Sequence, residues 1–398
     1  MGMSNIEQGT PKLEIRDSIL DIRPDGVRMP YSLSLSEWLV AGLLVAALFV
    51  FVPRLWPDHA FAGAGHAGRH PVEDYRLPYQ LSSDYWLYNR YCRWTCSRYD
   101  ILVVGDSVVW GHYVSKDSTL SHYLNELAGQ DQFANLGVDG IHPIALEGLL
   151  RYYARDISGK TVLLHFNPLW ISSQKHDLQS DKEFQFNHPK LVPQFVPGIP
   201  CYKASYSERI GTVVQRHVAF LGWASHLKQA YFDNLDLPRW TLEHPYANPL
   251  AEISNFKFQI SNFPAVSPAE HVPWDEKAAV KRDFQWVEMG TSLQWRSFRR
   301  SIELLRARGN TVFVLAGPFN EHMMTDENIK AYRRVQDEIK LWLQQNNVAY
   351  FMPQVLPSRL YVDASHPLSE GYAMLAKQIF EDHSFKTVFS RRRDGDAP

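Results

Sequence analysis

Apolar residues along the chain fall into short continuous runs separated by longer amphipathic stretches. The short β-branched runs predict buried strands at residues 100 to 104, 161 to 166, 311 to 315 and 348 to 352. Between them, Phe298, Ile302 and Leu305 form a helical stripe that ends at Gly309, and Thr325 followed by two acidic residues is typical of a helix start. This alternation predicts an α/β fold in which a parallel sheet carries helices on both faces.

A long apolar run lies near the N-terminus. Every residue from Trp38 to Val52 is apolar or glycine, and Trp56 follows the run as interfacial aromatics do. We expect residues 33 to 56 to form an uncleaved transmembrane anchor, because roughly 20 apolar residues cross a bilayer as a helix. A buried core helix and a signal peptide cleaved after Ala60-Phe61-Ala62 are the alternatives, although the segment ahead of the run is too long and too mixed in charge for a signal peptide.

The rest of the chain divides around this anchor by composition. Residues 1 to 32 mix charge, proline and glycine and are expected to form a flexible cytoplasmic arm. Residues 57 to 98 begin as a tether rich in glycine, alanine and histidine and continue as an aromatic-rich lead-in. Residues 99 to 385 carry the α/β pattern, and residues 386 to 398, with Arg391-Arg392-Arg393, are expected to be a disordered tail.

Two aromatic-rich stretches each allow two interpretations. Between residues 85 and 99, tyrosines and tryptophans either stack on sugar rings or pack in the core or against a membrane. From about residue 168 to 295 the alternation breaks down, which predicts an insertion at the C-terminal edge of the sheet, where ligand clefts open. Its tryptophans either line a substrate groove or belong to loop scaffolding. They are Trp170, Trp223, Trp240 and Trp274.

Charge and cysteine content exclude several function classes. A formal net charge of -2 offers no concentrated basic surface, so we expect no nucleic-acid partner. The cysteines Cys92, Cys96 and Cys201 lack the paired spacing of a zinc site, and we expect neither a metal nor a cofactor. A local disulfide between Cys92 and Cys96 stays open, since helical spacing places the two near the upper limit of bridging distance.

Two short motifs at opposite ends of the α/β region carry candidate chemistry. The first predicted strand runs into Gly105-Asp106-Ser107, a turn that would expose the serine, and Asp363-Ala364-Ser365-His366 places a carboxylate three residues before an imidazole. A serine nucleophile needs a base and a carboxylate that orients it. We therefore predict a catalytic triad of Ser107, His366 and Asp363. Three further histidines lie near the motifs and are expected to pack or to form hydrogen bonds rather than to act as a second base. They are His112, His142 and His165.

The chain resembles the SGNH (GDSL) hydrolase family, which carries its nucleophile in a Gly-Asp-Ser block and its acid and base in a C-terminal Asp-x-x-His. Two middle blocks are similar as well: Asn135-Leu136-Gly137-Val138-Asp139-Gly140, and a predicted strand that ends at Asn167, where the family's Gly-x-Asn-Asp is His-Phe-Asn-Pro. The resemblance covers roughly residues 99 to 170 and 310 to 385. It implies a flavodoxin-like three-layer fold and an oxyanion hole formed by the N–H of Ser107, the N–H of Gly140 and the side-chain amide of Asn167. Gly137 competes with Gly140 for the second donor.

The single apolar run together with these blocks is similar to the membrane-anchored branch of the family, which includes teichoic-acid D-alanylation and polysaccharide O-acetylation proteins. That resemblance implies a single-pass cell-membrane protein with its catalytic domain outside the cytoplasm. Arginines flank the run on both sides, so charge alone does not set this orientation. It further implies a serine esterase or O-acyltransferase that moves an acyl group from an ester donor to a cell-surface glycan, with a multi-pass membrane acyltransferase as partner.

Two other function classes stay open. A secreted-type esterase or lipase would use the same residues with water as the acceptor. A non-catalytic assembly subunit of a polysaccharide-modification complex would keep the fold without needing the nucleophile.

Overall fold

The computed structural model of the chain describes residues 34 to 56, 76 to 182, 186 to 254, 271 to 277 and 280 to 390. The predicted cytoplasmic arm and most of the predicted tether lie outside these residues.

The N-terminal apolar run is a helix, α1, which spans Leu35–Leu55. It has 21 residues and a mean hydropathy of 2.3 over its most apolar window, none of which is buried. At 1.5 Å per residue such a helix is about 30 Å long, close to the thickness of a bilayer's hydrocarbon core. Among the described residues it is the one helix long and apolar enough to cross a membrane.

The centre of the fold is a sheet of five parallel strands in the order β2-β1-β3-β4-β5. The strands are β1 Ile101–Val104, β2 Phe133–Asn135, β3 Thr161–Phe166, β4 Thr311–Ala316 and β5 Ala349–Phe351. The α/β prediction is confirmed, and four of these strands coincide with the predicted ones to within one residue at each end. The sequence analysis missed β2, because three residues are too few to show a strand periodicity.

The helices that follow α1 either cover the two faces of the sheet or belong to the segment between β3 and β4. They are α2 Tyr85–Cys96, α3 Ser107–Trp110, α4 Leu120–Ala128, α5 Pro143–Tyr152, α6 Tyr206–His217, α7 Ala219–Tyr231, α8 Leu237–Glu243, α9 Pro249–Ser254, α10 Leu293–Ala307, α11 Asp326–Gln345, α12 Ser369–Glu381 and α13 His383–Ser390. The predicted helix signals are present: the Thr325 hydroxyl accepts from the Asn328 N–H at 3.3 Å at the start of α11, and Gly309 follows α10 with a φ of 74°.

Alternate residues along each strand face two separate apolar cores, since successive strand side chains point to opposite sides. In β1, Leu102 and Val104 belong to the core that includes α2, α5, α10 and α11. Ile101 and Val103 belong to the opposite core with α3, α4, α12 and α13. The turn that follows Val104 thus leaves the sheet between two packed layers.

The aromatic residues of α2 serve mainly in packing. Tyr88 and Tyr91 are buried, and their hydroxyls donate to the carbonyls of Leu136 and Asn135 at 3.1 and 2.9 Å. These contacts favour core packing over a sugar platform for residues 85 to 99. The thiols of Cys92 and Cys96 in the same helix are not bridged, and their sulfur atoms lie 3.9 Å apart.

In the described part of the insertion after β3 lie helices α6 to α9, which its weak periodicity did not predict. Its tryptophans do not share one groove. Trp240 is buried with Leu227 in a cluster of the insertion itself, and the ring of Trp223 lies edge-on to that of Trp56 at 5.2 Å between centroids. Trp274 packs beside Leu360, so Trp170 is the member that reaches the site described below.

The C-terminal end of the domain lies beyond the predicted boundary at residue 385. Helix α13 continues to Ser390, because Phe385 and Phe389 are one turn apart and both pack into the core beside Phe133, with ring centroids 6.1 and 5.8 Å from it. Residues 386 to 390 are therefore helix rather than disordered tail, and residues 391 to 398 lie outside the described residues.

Candidate active site

Ser107 is the first residue of α3, directly after the turn that follows β1. Asp106 caps this helix by accepting from the Val108 N–H at 3.0 Å, which tilts the chain sharply out of the sheet. Gly105 allows the turn, because a Cβ at this position would come within 2.6 Å of the His165 Cβ. Since β1 lies between β2 and β3, the serine is placed at the point where strand order reverses, the usual position of a ligand crevice in such sheets.

The three residues of the predicted triad lie together. Ser107 Oγ is 2.8 Å from His366 Nε2, and His366 Nδ1 is 2.9 Å from each carboxylate oxygen of Asp363. Because a carboxylate only accepts, the bond at Nδ1 places the ring proton there and leaves the lone pair of Nε2 facing the serine hydroxyl. The serine proton therefore has an acceptor in place.

The Asp363 carboxylate is held by its own loop. Its Oδ1 also accepts from the backbone N–H groups of Ser365 and His366, each at 3.0 Å, and the Asn320 side chain donates to the Asp363 carbonyl at 3.2 Å. Burial alone would raise the pKa of Asp363, but the charge and hydrogen bond of His366 and these backbone donors outweigh it and lower the pKa to about 2. The group that orients His366 is therefore ionised at neutral pH.

The contact with Asp363 raises the pKa of His366, whereas it lowers the pKa of Asp363. Burial disfavours the imidazolium, but the charge of Asp363 and its hydrogen bond, with smaller contributions from Asp106 and Asp139, exceed that penalty and raise the pKa of His366 above its ordinary value of 6.5. The surroundings of His366 thus favour its imidazolium form.

Two of the three predicted oxyanion donors point to no acceptor within the described part of the chain: the N–H groups of Ser107 and Gly140. The competing Gly137 uses its N–H in a 2.9 Å bond to Asn135 Oδ1. A side chain on Gly137 would also lie 2.5 Å from the Trp110 nitrogen, so this glycine serves a close approach of two backbone segments. Of the two candidate glycines, Gly140 is therefore the one whose N–H is available to a substrate oxygen.

Asn167, the third predicted donor, is engaged elsewhere. Its amide nitrogen donates to Asp106 Oδ2 at 2.9 Å and to Ser365 Oγ at 3.2 Å, and its Oδ1 accepts from the Leu169 N–H at 3.0 Å. Asn167 thereby connects the turn that carries Ser107 to the loop that carries His366. A substrate oxyanion could receive a hydrogen bond from this amide only by displacing one of the two acceptors.

Asp106 is the residue whose importance sequence reasoning missed. Besides the Val108 and Asn167 bonds, it accepts from Trp170 Nε1 at 3.0 Å, and His165 Nδ1 lies 3.0 Å from its Oδ1. Burial favours the neutral acid, but His165 and the Asn167 amide reverse this and lower the pKa of Asp106 to about 2. An Asp directly ahead of a helix start was the available signal.

The three neighbouring histidines have distinct surroundings. His142 caps α5 and is buried, and burial lowers its pKa to about 3. His165 Nε2 lies 3.0 Å from the Gly317 carbonyl oxygen, on the side of the ring away from Asp106. His112 pairs with Asp139, its Nδ1 lying 2.5 Å from Oδ1, a contact between two sequence blocks that the sequence analysis did not connect.

Comparison with known proteins adds no assignment to this geometry: no protein-family model matches the chain, and no curated protein matches it significantly.

Proposed function

We propose that this chain is a membrane-anchored serine esterase or O-acyltransferase of the SGNH type, which acts on an exported cell-surface glycan through an acyl-serine intermediate. One observation carries the proposal: the continuous contact from Ser107 Oγ to His366 Nε2 at 2.8 Å and from His366 Nδ1 to Asp363 at 2.9 Å. The strand order β2-β1-β3-β4-β5, which is the flavodoxin-like order, supports the SGNH assignment.

In the first half-reaction, Ser107 Oγ attacks the carbonyl carbon of an acyl ester while its proton passes to His366 Nε2. Asp363 keeps the imidazole in the required tautomer and stabilises its charge. The developing oxyanion is received by the N–H groups of Ser107 and Gly140, each worth about 3 to 4 kcal/mol of transition-state stabilisation in comparable sites. Collapse of the tetrahedral intermediate breaks the ester bond, and His366 returns the proton to the leaving alcohol.

In the second half-reaction, a hydroxyl of the acceptor attacks the acyl-serine, with its proton going to His366 and from there to Ser107 Oγ. A glycan hydroxyl as acceptor makes the protein a transferase, and water makes it an esterase. The apolar helix α1 supports a transferase, because an anchor would hold the site near glycans assembled at the membrane. The proposed orientation places residues 76 to 390 outside the cytoplasm, where a multi-pass acyltransferase could supply the acyl group.

Mass spectrometry of the protein after reaction with p-nitrophenyl acetate tests the nucleophile. We expect one acetyl group on the peptide that contains Ser107 and none in Ser107→Ala. Ser97→Ala is the matched control, because Ser97 is exposed and its hydroxyl donates only to the Trp94 carbonyl, at 2.7 Å, among the described residues. An acetyl group that persists in Ser107→Ala would contradict the proposal.

The acceptor is tested by adding an oligosaccharide to the same reaction. Transfer predicts acetylated saccharide and less free acetate, whereas release of acetate alone would identify an esterase. In cells, glycan acylation that is unchanged by Ser107→Ala would instead support a non-catalytic assembly subunit.

A further inference from the structure

A second histidine and carboxylate pair lies next to the triad. His112 follows α3, where its N–H donates to the Ser107 carbonyl at 3.1 Å, and its Nδ1 is 2.5 Å from Asp139 Oδ1. The ring centroids of His112 and His366 are 5.6 Å apart. Ser107 therefore contacts His366, and a second imidazole, that of His112, lies beside His366 and has no role in the proposed mechanism.

The contact with Asp139 fixes what His112 can offer. A carboxylate has no proton to give, so in the neutral ring Nδ1 carries the hydrogen and Nε2 carries a lone pair. No partner of Nε2 occurs among the residues that the structure describes, and the side chain is 33% exposed. His112 therefore presents an accessible hydrogen-bond acceptor beside the catalytic base.

An aromatic wall joins the two imidazoles. The ring of Tyr113 is edge-on to His112 at 4.5 Å and to His366 at 5.2 Å, and it also contacts His271 edge-on at 4.6 Å. Burial and the Asp363 carboxylate, to which the phenol donates a hydrogen bond, raise the pKa of Tyr113, so the phenol stays protonated over the physiological range. Aromatic faces with polar edges are suited to the apolar faces and hydroxyl rims of a sugar ring.

Asp139, the partner of His112, also precedes the proposed oxyanion donor Gly140 in the chain. Its carbonyl accepts from His188 Nε2 at 2.8 Å, and the next peptide N–H along the chain is that of Gly140. Carbonyl and N–H point in opposite directions across a trans peptide, so the His188 bond directs the Gly140 N–H away from His188. The carboxylate that holds His112 and the N–H that would receive the oxyanion therefore belong to adjacent, fixed residues.

We propose that His112, held by Asp139, binds a second hydroxyl of the acyl acceptor, adjacent to the hydroxyl that His366 deprotonates. The acceptor class is then a vicinal diol, as presented by a sugar ring, rather than an isolated alcohol. This inference rests on the proposed acyl-serine chemistry. The attacking oxygen forms the new ester bond as the bond to Ser107 Oγ breaks, its proton moves through His366 to Ser107, and His112 only accepts a hydrogen bond from the neighbouring hydroxyl.

Competing small acceptors test this inference without knowledge of the natural glycan. The full chain in detergent is acetylated with p-nitrophenyl acetate in the presence of ethane-1,2-diol or ethanol, and acetate esters are quantified. We expect the wild-type protein to acetylate the diol about ten-fold faster than ethanol per hydroxyl, which is the effect of one added hydrogen bond. In His112→Ala this preference should fall to near unity, and the p-nitrophenol burst reports how much folded, acylating enzyme is present.

His122→Ala is the matched control, since His122 lies on α4 with its Nε2 3.4 Å from the exposed Glu126. This variant should keep the diol preference. A wild-type protein that forms the acyl-enzyme without preferring the diol would overturn the inference, as would His112→Ala with the preference intact. A burst that falls in His112→Ala as much as transfer does would also overturn it, because His112 would then act in acylation. Absence of any adduct on Ser107 would instead refute the proposed function itself.

Discussion

Replacement of Asp106 by Asn tests whether the buried hydrogen bonds around the nucleophile turn stabilise the fold. Asn is nearly isosteric and is an equally good helix cap, so helix capping alone predicts no loss. The hydrogen-bond partners of Asp106, however, predict a loss of stability. Its Oδ1 faces the Val108 N–H and His165 Nδ1, and its Oδ2 faces Asn167 Nδ2 and Trp170 Nε1.

Neither orientation of the new amide satisfies these neighbours. If the amide oxygen keeps the place of Oδ1, the NH2 group points at the donors of Asn167 and Trp170; if it flips, the NH2 group points at the Val108 N–H. Each buried donor left without an acceptor costs about 1 to 3 kcal/mol, so the orientation that strands two donors costs about 2 to 6 kcal/mol. The same neighbours lower the Asp106 pKa from 3.8 to about 2, which corresponds to about 2 kcal/mol in favour of the ionised over the neutral carboxyl group.

The flipped orientation is the cheaper one, because it leaves only the Val108 N–H without an acceptor. We therefore expect Asp106→Asn to lose about 1 to 3 kcal/mol of unfolding free energy near pH 7. Urea denaturation of the full chain in detergent, followed by tryptophan fluorescence, measures this loss. Asp131→Asn is the control, because Asp131 is exposed and surface changes of this kind stay within about 0.5 kcal/mol. If Asp106→Asn unfolds within about 0.5 kcal/mol of the wild type, the stabilising role of these hydrogen bonds is refuted.

Three further outcomes follow from the geometry. The raised pKa of His366 places the acid limb of kcat/KM above pH 6.5, and Asp363→Asn should move that limb to lower pH while it reduces kcat by about 10³ to 10⁴-fold; a limb that stays in place would contradict the Asp363 role. Since the pKa of both Asp106 and Asp363 is lowered from 3.8 to about 2, their stabilisation is complete above pH 3.8 and is lost as pH falls toward 2, which denaturation at stepped pH should show. Gly140→Ala keeps the N–H but strains the backbone that holds it, so it should lower kcat by displacing this donor, by at most the roughly 10² to 10³-fold that loss of a donor costs, whereas Gly159→Ala should leave kcat unchanged. Gly159 is the control because both glycines have positive φ, 67° at Gly140 and 64° at Gly159. A Cβ would meet a neighbouring atom at Gly140, at 2.9 Å, but not at Gly159. Equal losses of kcat in the two variants would mean that backbone strain, rather than the oxyanion donor, is responsible.

Local sequence patterns were enough to predict β1, β3, β4 and β5 and to select the two motifs whose Ser107, His366 and Asp363 lie together. A buried strand of four consecutive apolar residues, such as β1, is visible in its own composition. The pattern failed where tertiary contacts decide the structure. The three-residue β2 is a strand because it pairs with β1. Helix α13 continues to Ser390 because Phe385 and Phe389 pack against core residues that are distant in the sequence.

The candidate site likewise has one part that local spacing predicts and one part that depends on the register of the sheet. Spacing alone placed Asp363 one turn from His366, but the partners of Asp106 come from a different strand. Val104 pairs with Leu164 across β1 and β3, so the residues that leave these strands emerge side by side, and Asp106 meets Asn167 there. A slip of one residue would turn every side chain of β3 to the opposite face and remove Asn167 from Asp106. Both faces of β1 and β3 are buried, and apart from Thr161 and His165 their residues are apolar, so side-chain alternation alone does not specify the register. The packing of the two cores and the contact of His165 with Asp106 contribute to it. The nucleophile turn is consequently positioned by packing on both sides of the sheet, which no short motif encodes.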